Sequence, residues 1–105
     1  MRRGTTPNIN IYVNGTDFEG ATLYVTIEQK NHEITKTGDD VIVSTDSENY
    51  DAVVSVFLTQ EETLCFQQGT ARIQIRWIYP NGTAMASPIK NINVNPILLE
   101  GIINA

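Results

Sequence analysis

Residues 71–79 read ARIQIRWIY, and apolar and polar side chains alternate from Ala71 to Trp77. One face carries the larger apolar side chains Ile73, Ile75, Trp77 and Tyr79. The other face carries Arg72, Gln74 and Arg76. A period of two is typical of a β-strand with one face in the core and the other in water. The stretch therefore predicts a strand with Trp77 at the centre of a core.

Similar short segments lie on both sides of this strand and are separated by turn sequences. They cover residues 8–13, 22–29, 32–36, 40–45, 51–58 and 85–94. Residues 51–58 are almost continuously apolar, which indicates a strand in mid-sheet or one buried on both faces. Pro88 favours an edge or a strand start for residues 85–94. About seven short strands predict an all-β fold, a two-sheet antiparallel sandwich of immunoglobulin-like architecture.

The length and composition predict a single domain. The chain has 105 residues, of which 41% are hydrophobic. A chain of this size buries roughly two thirds of its unfolded surface, so it can form a core without metals or disulfides. Residues 1–7, MRRGTTP, are polar and contain Gly and Pro, and we expect a flexible N-terminal arm. Residues 8–105 are expected to form the sandwich.

Residues 58–66, LTQEETLCF, interrupt the alternation. Thr59 and Glu62 have the spacing of a capping box, in which each residue's side chain accepts a hydrogen bond from the other's backbone N–H. This predicts one short helical turn near 59–65 that crosses from one sheet to the other. Leu64 and Phe66 are expected to enter the core. Cys65, which lies between them, is expected to be a small buried side chain and not a nucleophile.

The charge of the chain argues against nucleic acid as a partner. The net charge is -5, and the phosphate backbone demands a basic surface. Between residues 37 and 71 there is no Lys or Arg, but there are seven acids, namely Asp39, Asp40, Asp46, Glu48, Asp51, Glu61 and Glu62. They form either a solvated face or a site for an ion or a cationic partner.

No constellation for catalysis or for a cofactor is found. His32 is the only histidine and is expected in a solvated turn, and with Cys65 it gives too few ligands for zinc. No nucleophile elbow is present, so the chain is not expected to be an enzyme. One oxygen-rich stretch provides calcium-type donors without EF-hand spacing: Asp46, Ser47, Glu48, Asn49 and Asp51. The alternative for this stretch is a polar loop joining two strands.

The expected compartment is the cytoplasm. Arg2 and Arg3 are not followed by the apolar segment of a signal peptide, and no apolar run approaches the roughly 20 residues that span a bilayer. A membrane partner is therefore not expected. Two Asn-Gly-Thr sequons, at Asn14 and Asn81, are interpreted as turns.

Several motifs together resemble a family of small proteins encoded among the structural genes of phages and prophages of Firmicute bacteria. These motifs are the RGTTP arm at residues 3–7, the LTQEETL turn at 58–64, the IQIR strand at 73–76 and the apolar segment at 94–103. Residues 31–51 match no motif of the family.

The resemblance implies a virion component, associated with a tail, baseplate or head, without catalytic residues. Its partners would be other phage structural proteins or further copies of itself. The alternative is a carbohydrate-binding or adhesion module, which would use Tyr12, Tyr24, Tyr50 and Tyr79, because aromatic faces stack on sugars.

Two sets of residues are candidates for an interface. The tail contributes the apolar side chains Ile97, Leu98, Leu99, Ile102 and Ile103. They pack either on the chain's own sandwich or across a neighbouring subunit. Arg72 and Arg76 either pair with acids such as Asp51 or Glu28 across strands, or form a contact patch for an acidic neighbour.

Overall fold

The computed structural model, which describes residues 1–45 and 48–105, confirms the two-sheet antiparallel sandwich. Within these residues there are eight strands: β1 (Asn8–Val13), β2 (Thr22–Gln29), β3 (His32–Thr37), β4 (Val41–Ser44), β5 (Ala52–Phe57), β6 (Gly69–Ile78), β7 (Ala84–Ala86) and β8 (Lys90–Val94). A helical turn, α1 (Gln60–Leu64), joins β5 to β6, and a 3-10 turn covers Gly38–Asp40. Because β5 and β6 belong to different sheets, α1 makes the predicted crossing.

The strand order is close to that of an immunoglobulin constant-type domain, except that one strand lies in the other sheet. The smaller sheet has the order β1-β5-β4, and the larger sheet runs β3-β2-β6 and continues to β7 and β8. In the immunoglobulin order the second strand lies between the first and the fifth. Here β2 lies in the larger sheet, because a two-residue turn joins it to β3 and makes the two strands a hairpin.

The strand predicted at residues 85–94 is divided into two strands, β7 and β8, that pair with successive parts of β6. Pro88 lies between them and has no N–H to donate to a ladder. Ser87 maintains the contact, because its N–H donates to Ile75 O at 2.8 Å and its Oγ accepts from Ile75 N at 3.0 Å.

The core lies between the two sheets. Its buried apolar residues are Phe18, Leu23, Val25, Ile27, Ala52, Val54, Val56, Leu58, Phe66, Ala71, Ile73, Ile75, Trp77 and Val94. Trp77 is buried toward one end of β6, where Phe18 contacts it edge-on with ring centroids 5.1 Å apart. Strand β5 occupies the middle of its sheet, which is one of the two alternatives indicated by residues 51–58. Its outer face reaches solvent at Phe57.

The N-terminal arm is hydrogen bonded along the residues that end and follow β8, in contrast to the loose arm expected at residues 1–7. The Met1 amine donates to Asn93 O at 2.7 Å, and Asn95 N donates to Met1 O at 2.7 Å. Arg3 N donates to Asn95 O at 3.0 Å. Strand β8 is an edge strand with unpaired backbone groups. These contacts provide hydrogen-bond partners for the adjoining backbone at Asn93 and Asn95.

Candidate interaction surface

The α1 segment covers the inner side of β3, because none of the described strands of the smaller sheet lies opposite β3. Residues 58–67 include α1 and reach the larger sheet through three contacts. These are the Lys36 Nζ–Glu62 Oε2 ion pair at 2.7 Å, the His32 and Phe66 rings with centroids 4.9 Å apart, and the paired hydrogen bonds between Gln29 and Gln67. The helical turn therefore completes the core of a sandwich whose sheets differ in width.

The predicted capping box begins α1. Thr59 Oγ1 accepts from Glu62 N at 3.1 Å, and Glu62 Oε1 accepts from Thr59 N at 2.9 Å. Burial alone would raise the pKa of Glu62. The hydrogen bond and positive charge of Lys36, together with the hydrogen bonds from Thr59, have the opposite and larger effect, so the pKa of Glu62 is lowered. Phe66 is fully buried, as expected, and Leu64 is half-buried.

We expect Glu62→Gln to remove a pH-dependent part of the stability. A lowered pKa in the folded state stabilises the protein above the unfolded-state pKa of about 4.3, and this contribution is lost as pH falls through the folded-state pKa. Glutamine keeps the cap but not the ion pair, so the cost at pH 7 is about 0.5–1 kcal/mol. Urea unfolding at neutral and acid pH measures it, with the exposed Glu61→Gln as control. A difference from wild type that stays constant with pH would contradict this origin.

Two sequence predictions in this region are wrong. Cys65 is exposed, because the turn directs Thr63 and Phe66 inward and leaves the C-cap residue facing water. His32 is the first residue of β3 and not a solvated turn residue. Its ring contacts Phe66, and its Nε2 is buried without a hydrogen-bond partner in the described part of the chain. The tight turn before β3 places it on the inward face.

Arg3 joins the arm, the end of α1 and the C-terminal tail. Its Nε donates to Phe66 O at 2.5 Å and its Nη2 donates to Leu64 O at 3.0 Å, so it supplies donors to carbonyls at the end of α1. Its Nη1 forms an ion pair with Glu100 at 2.5 Å. The Arg3 side chain is only 13% exposed, whereas that of Glu100 is 60% exposed.

The tail, residues 97–105, is held by hydrogen bonds to its own backbone and to the preceding residue, Pro96. Arg2 Nη1 donates to Pro96 O at 2.7 Å. The Gln60 side-chain amide donates to Ile103 O at 3.0 Å and accepts from Ile103 N at 2.9 Å. Ile97 is half-buried and lies so close to Gly4 that a Cβ there would be 2.8 Å from Ile97 Cδ1.

The other apolar side chains of the tail face solvent. Leu98 is fully exposed, and Leu99, Ile102 and Ile103 are between 56% and 72% exposed. The structure thus brings the five predicted tail residues to one end of the sandwich, but Ile97 is the one of the five that is less than half exposed. Use of the tail as an interface stays a prediction.

The two predicted arginines differ in their surroundings. Arg72 forms an ion pair with Glu28, which lies directly opposite on β2. Arg76 lies between Tyr24 and Ala86 and has no ion pair with any residue that the structure describes. Asp51 is not their partner, because its Oδ2 accepts from Gly15 N at 2.7 Å.

The outer faces of the two sheets have different chemistry. The face of the larger sheet carries charged groups, including Glu28, Glu33, Arg72 and Arg76. The outward side chains of the smaller sheet, together with the neighbouring Tyr50, form what we call the uncharged face. Its residues are Asn8, Asn10, Tyr12, Ile42, Ser44, Tyr50, Val53, Ser55 and Phe57. Sequence reasoning missed this face, although the alternation in β1 and β5 contains it.

The four tyrosines do not form one platform. Tyr12 and Tyr50 lie together on the uncharged face with ring centroids 4.8 Å apart. Tyr24 lies on the outer face of the larger sheet. Tyr79 is half-buried, and its hydroxyl donates to Asp17 O at 2.6 Å.

A cavity of about 730 Å³ opens at one end of the sandwich beside Asp17, Phe18 and Asp51. The carboxylates of Asp17 and Asp51 stabilise turns there. Asp17 Oδ1 accepts a hydrogen bond from Glu19 N at 2.9 Å, and Asp51 accepts one from Gly15 N. In residues 1–45 and 48–105, no three His, Cys, Asp or Glu side chains gather to hold a metal ion. Asp46 and Ser47 of the calcium candidate lie outside the described residues.

Comparisons of this chain with protein-family models, with curated proteins and with solved structures give no match. Within the described part of the chain, no helix has the length and apolar character to cross a membrane.

Proposed function

We propose that this chain is a non-enzymatic structural or assembly component of a phage or prophage particle that acts through protein–protein contacts. The observation that carries the proposal is the tail, whose backbone is hydrogen bonded at Ile103 while Leu98, Leu99, Ile102 and Ile103 are exposed. The sequence resemblance supports the phage context. The protein would be made in the bacterial cytoplasm and enter a tail, baseplate or head, with other phage structural proteins or further copies as partners.

The arrangement of the tail favours association over simple exposure. Each Leu or Ile side chain that becomes fully buried contributes about 1.5–3 kcal/mol. Ordering a free chain end on binding would offset much of this gain. Here the bonds from Arg2, Arg3 and Gln60 already hold the tail, so less conformational entropy is lost when a partner covers it.

The proposal is tested in a strain that carries the gene, by mass spectrometry of purified particles. We expect the wild-type chain in the particles and at least a tenfold loss of the Leu98→Asp, Leu99→Asp double variant, because carboxylates in an apolar contact are costly. The matched control is Thr70→Asp with Asn91→Asp, which adds the same charge to exposed positions on the larger sheet. Absence of the wild-type chain from particles, or equal incorporation of both variants, would contradict the proposal.

A carbohydrate-binding or adhesion module is the second candidate, and the Tyr12–Tyr50 pair favours it. Two exposed rings whose centroids are 4.8 Å apart offer a surface on which a sugar ring can stack. A glycan array tests this candidate with wild type and Tyr12→Ala. Binding that Tyr12→Ala abolishes would support it, and an array without hits would exclude it.

A further inference from the structure

The uncharged face is a second exposed apolar surface on the same chain. Tyr12, Ile42 and Phe57 are each 51–56% exposed on it, whereas the inward side chains of the central strand β5 are buried. These exposures are those of the chain with its tail in place, so the tail does not cover its own uncharged face. Both surfaces therefore remain available to another molecule.

One pair of polar side chains on this face is compatible with burial. Ser55 Oγ donates to Asn10 Oδ1 at 2.6 Å, so these two groups satisfy each other between the apolar side chains. Buried polar groups cost little when they are already paired. Depletion of charge and enrichment in aromatic residues are also the composition of interface cores.

Charge restricts how two copies can meet. Each carries a net charge of -5, so most relative orientations bring acids together. The uncharged face has no such group, and the tail has one carboxylate side chain, that of Glu100, which is paired with Arg3. Contact between these two surfaces therefore brings fewer like charges together than contact through the acidic turns does, although Glu48 and Asp51 flank Tyr50 in the sequence.

We propose that the tail of one copy packs on the uncharged face of a second copy. This inference rests on the proposed function and names the partner of the tail. The two surfaces consist of different residues, so the contact is heterologous and joins copies head to tail into a ring or an open array. Leu98, Leu99, Ile102 and Ile103 would lie on Tyr12, Ile42 and Phe57.

The apolar area indicates a weak contact. At about 200 Å² for a fully exposed large side chain, the exposed fractions of these four tail residues and three face residues amount to roughly 900 Å². This is below the ~1,200 Å² at which stable interfaces begin. We therefore expect association of the purified protein with a dissociation constant on the order of 0.1 mM, visible by sedimentation at concentrations up to about 1 mM.

A complementation experiment tests the head-to-tail contact. The tail variant is Leu98→Asp with Leu99→Asp, and the face variant is Phe57→Asp, with Ile42→Asp as a second face variant on another strand. Circular dichroism and urea unfolding select face variants that fold. We expect each variant alone to be monomeric, with association at least tenfold weaker than wild type. A mixture of tail and face variants should form a 1:1 dimer, because one intact tail then meets one intact face.

The outcomes separate this inference from the proposed function. Wild type that associates while the mixture stays monomeric would overturn the head-to-tail contact and indicate a symmetric one. Wild type that stays monomeric at about 1 mM would overturn self-association itself. In both cases incorporation into particles is measured independently and still decides the proposed function.

Discussion

Phe66→Ala is expected to lower the free energy of unfolding by about 3–5 kcal/mol, the cost of removing a fully buried phenylalanine. Phe66 is 0% exposed and contacts the His32 ring, so it attaches residues 58–67 to the inner side of the larger sheet. Its loss would leave a cavity where the smaller sheet has no strand to fill it. Urea unfolding followed by Trp77 fluorescence measures the change.

Phe57→Ala is the matched control, because it removes the same side chain from a position that is 56% exposed. We expect a loss of no more than about 1 kcal/mol there. Equal losses for the two variants would show that Phe66 is not the residue that closes the core at α1.

Arg3→Met is expected to cost about 1–3 kcal/mol. Methionine preserves much of the apolar stem, but the Leu64 and Phe66 carbonyls lose the donors that the guanidinium supplies. A buried acceptor left without a partner costs about 1–3 kcal/mol. The loss should appear both in urea unfolding and in faster amide exchange at the end of α1.

Glu100→Gln separates the capping role of Arg3 from its ion pair. The Glu100 side chain is 60% exposed, so we expect its replacement to cost under about 0.5 kcal/mol. A loss from Glu100→Gln as large as that from Arg3→Met would place the effect in the ion pair and contradict the capping account.

Local patterns in the sequence were sufficient for much of the fold. The alternation around Ile75, the mid-sheet position of β5 and the capping box at Thr59 all depend on neighbours along the chain, and all three are found in the structure. Fold class follows from such periodicity, because each strand must bury one face.

Long-range contacts could not be predicted from the same patterns. Arg3 meets Glu100, Leu64 and Phe66 across most of the chain, and no spacing rule links these positions. The sequence predicts His32 in a turn, but the two-residue turn between β2 and β3 is tight enough to place it on an inward strand position. Cys65 was expected in the core because of its apolar neighbours, whereas the direction of a helix end decides its exposure.

The candidate interface was predicted only in part. The apolar tail is visible in the sequence, but its exposure depends on what the sandwich leaves uncovered. The uncharged face needs the register of β1, β4 and β5, which places Tyr12, Ile42 and Phe57 on one side. Of the two alternatives for Arg72, pairing across strands is the one found, with Glu28.

The central claim is that the tail serves contacts with other chains and is not part of the chain's own core. The direct measurement is the free energy of unfolding, at micromolar concentration, of a protein that ends at Ile97 compared with the full chain. Since Ile97 is kept and Arg3 still caps α1, we expect a loss of about 1 kcal/mol or less. A loss of about 3 kcal/mol or more would mean that residues 98–105 stabilise the sandwich itself, and would contradict the account.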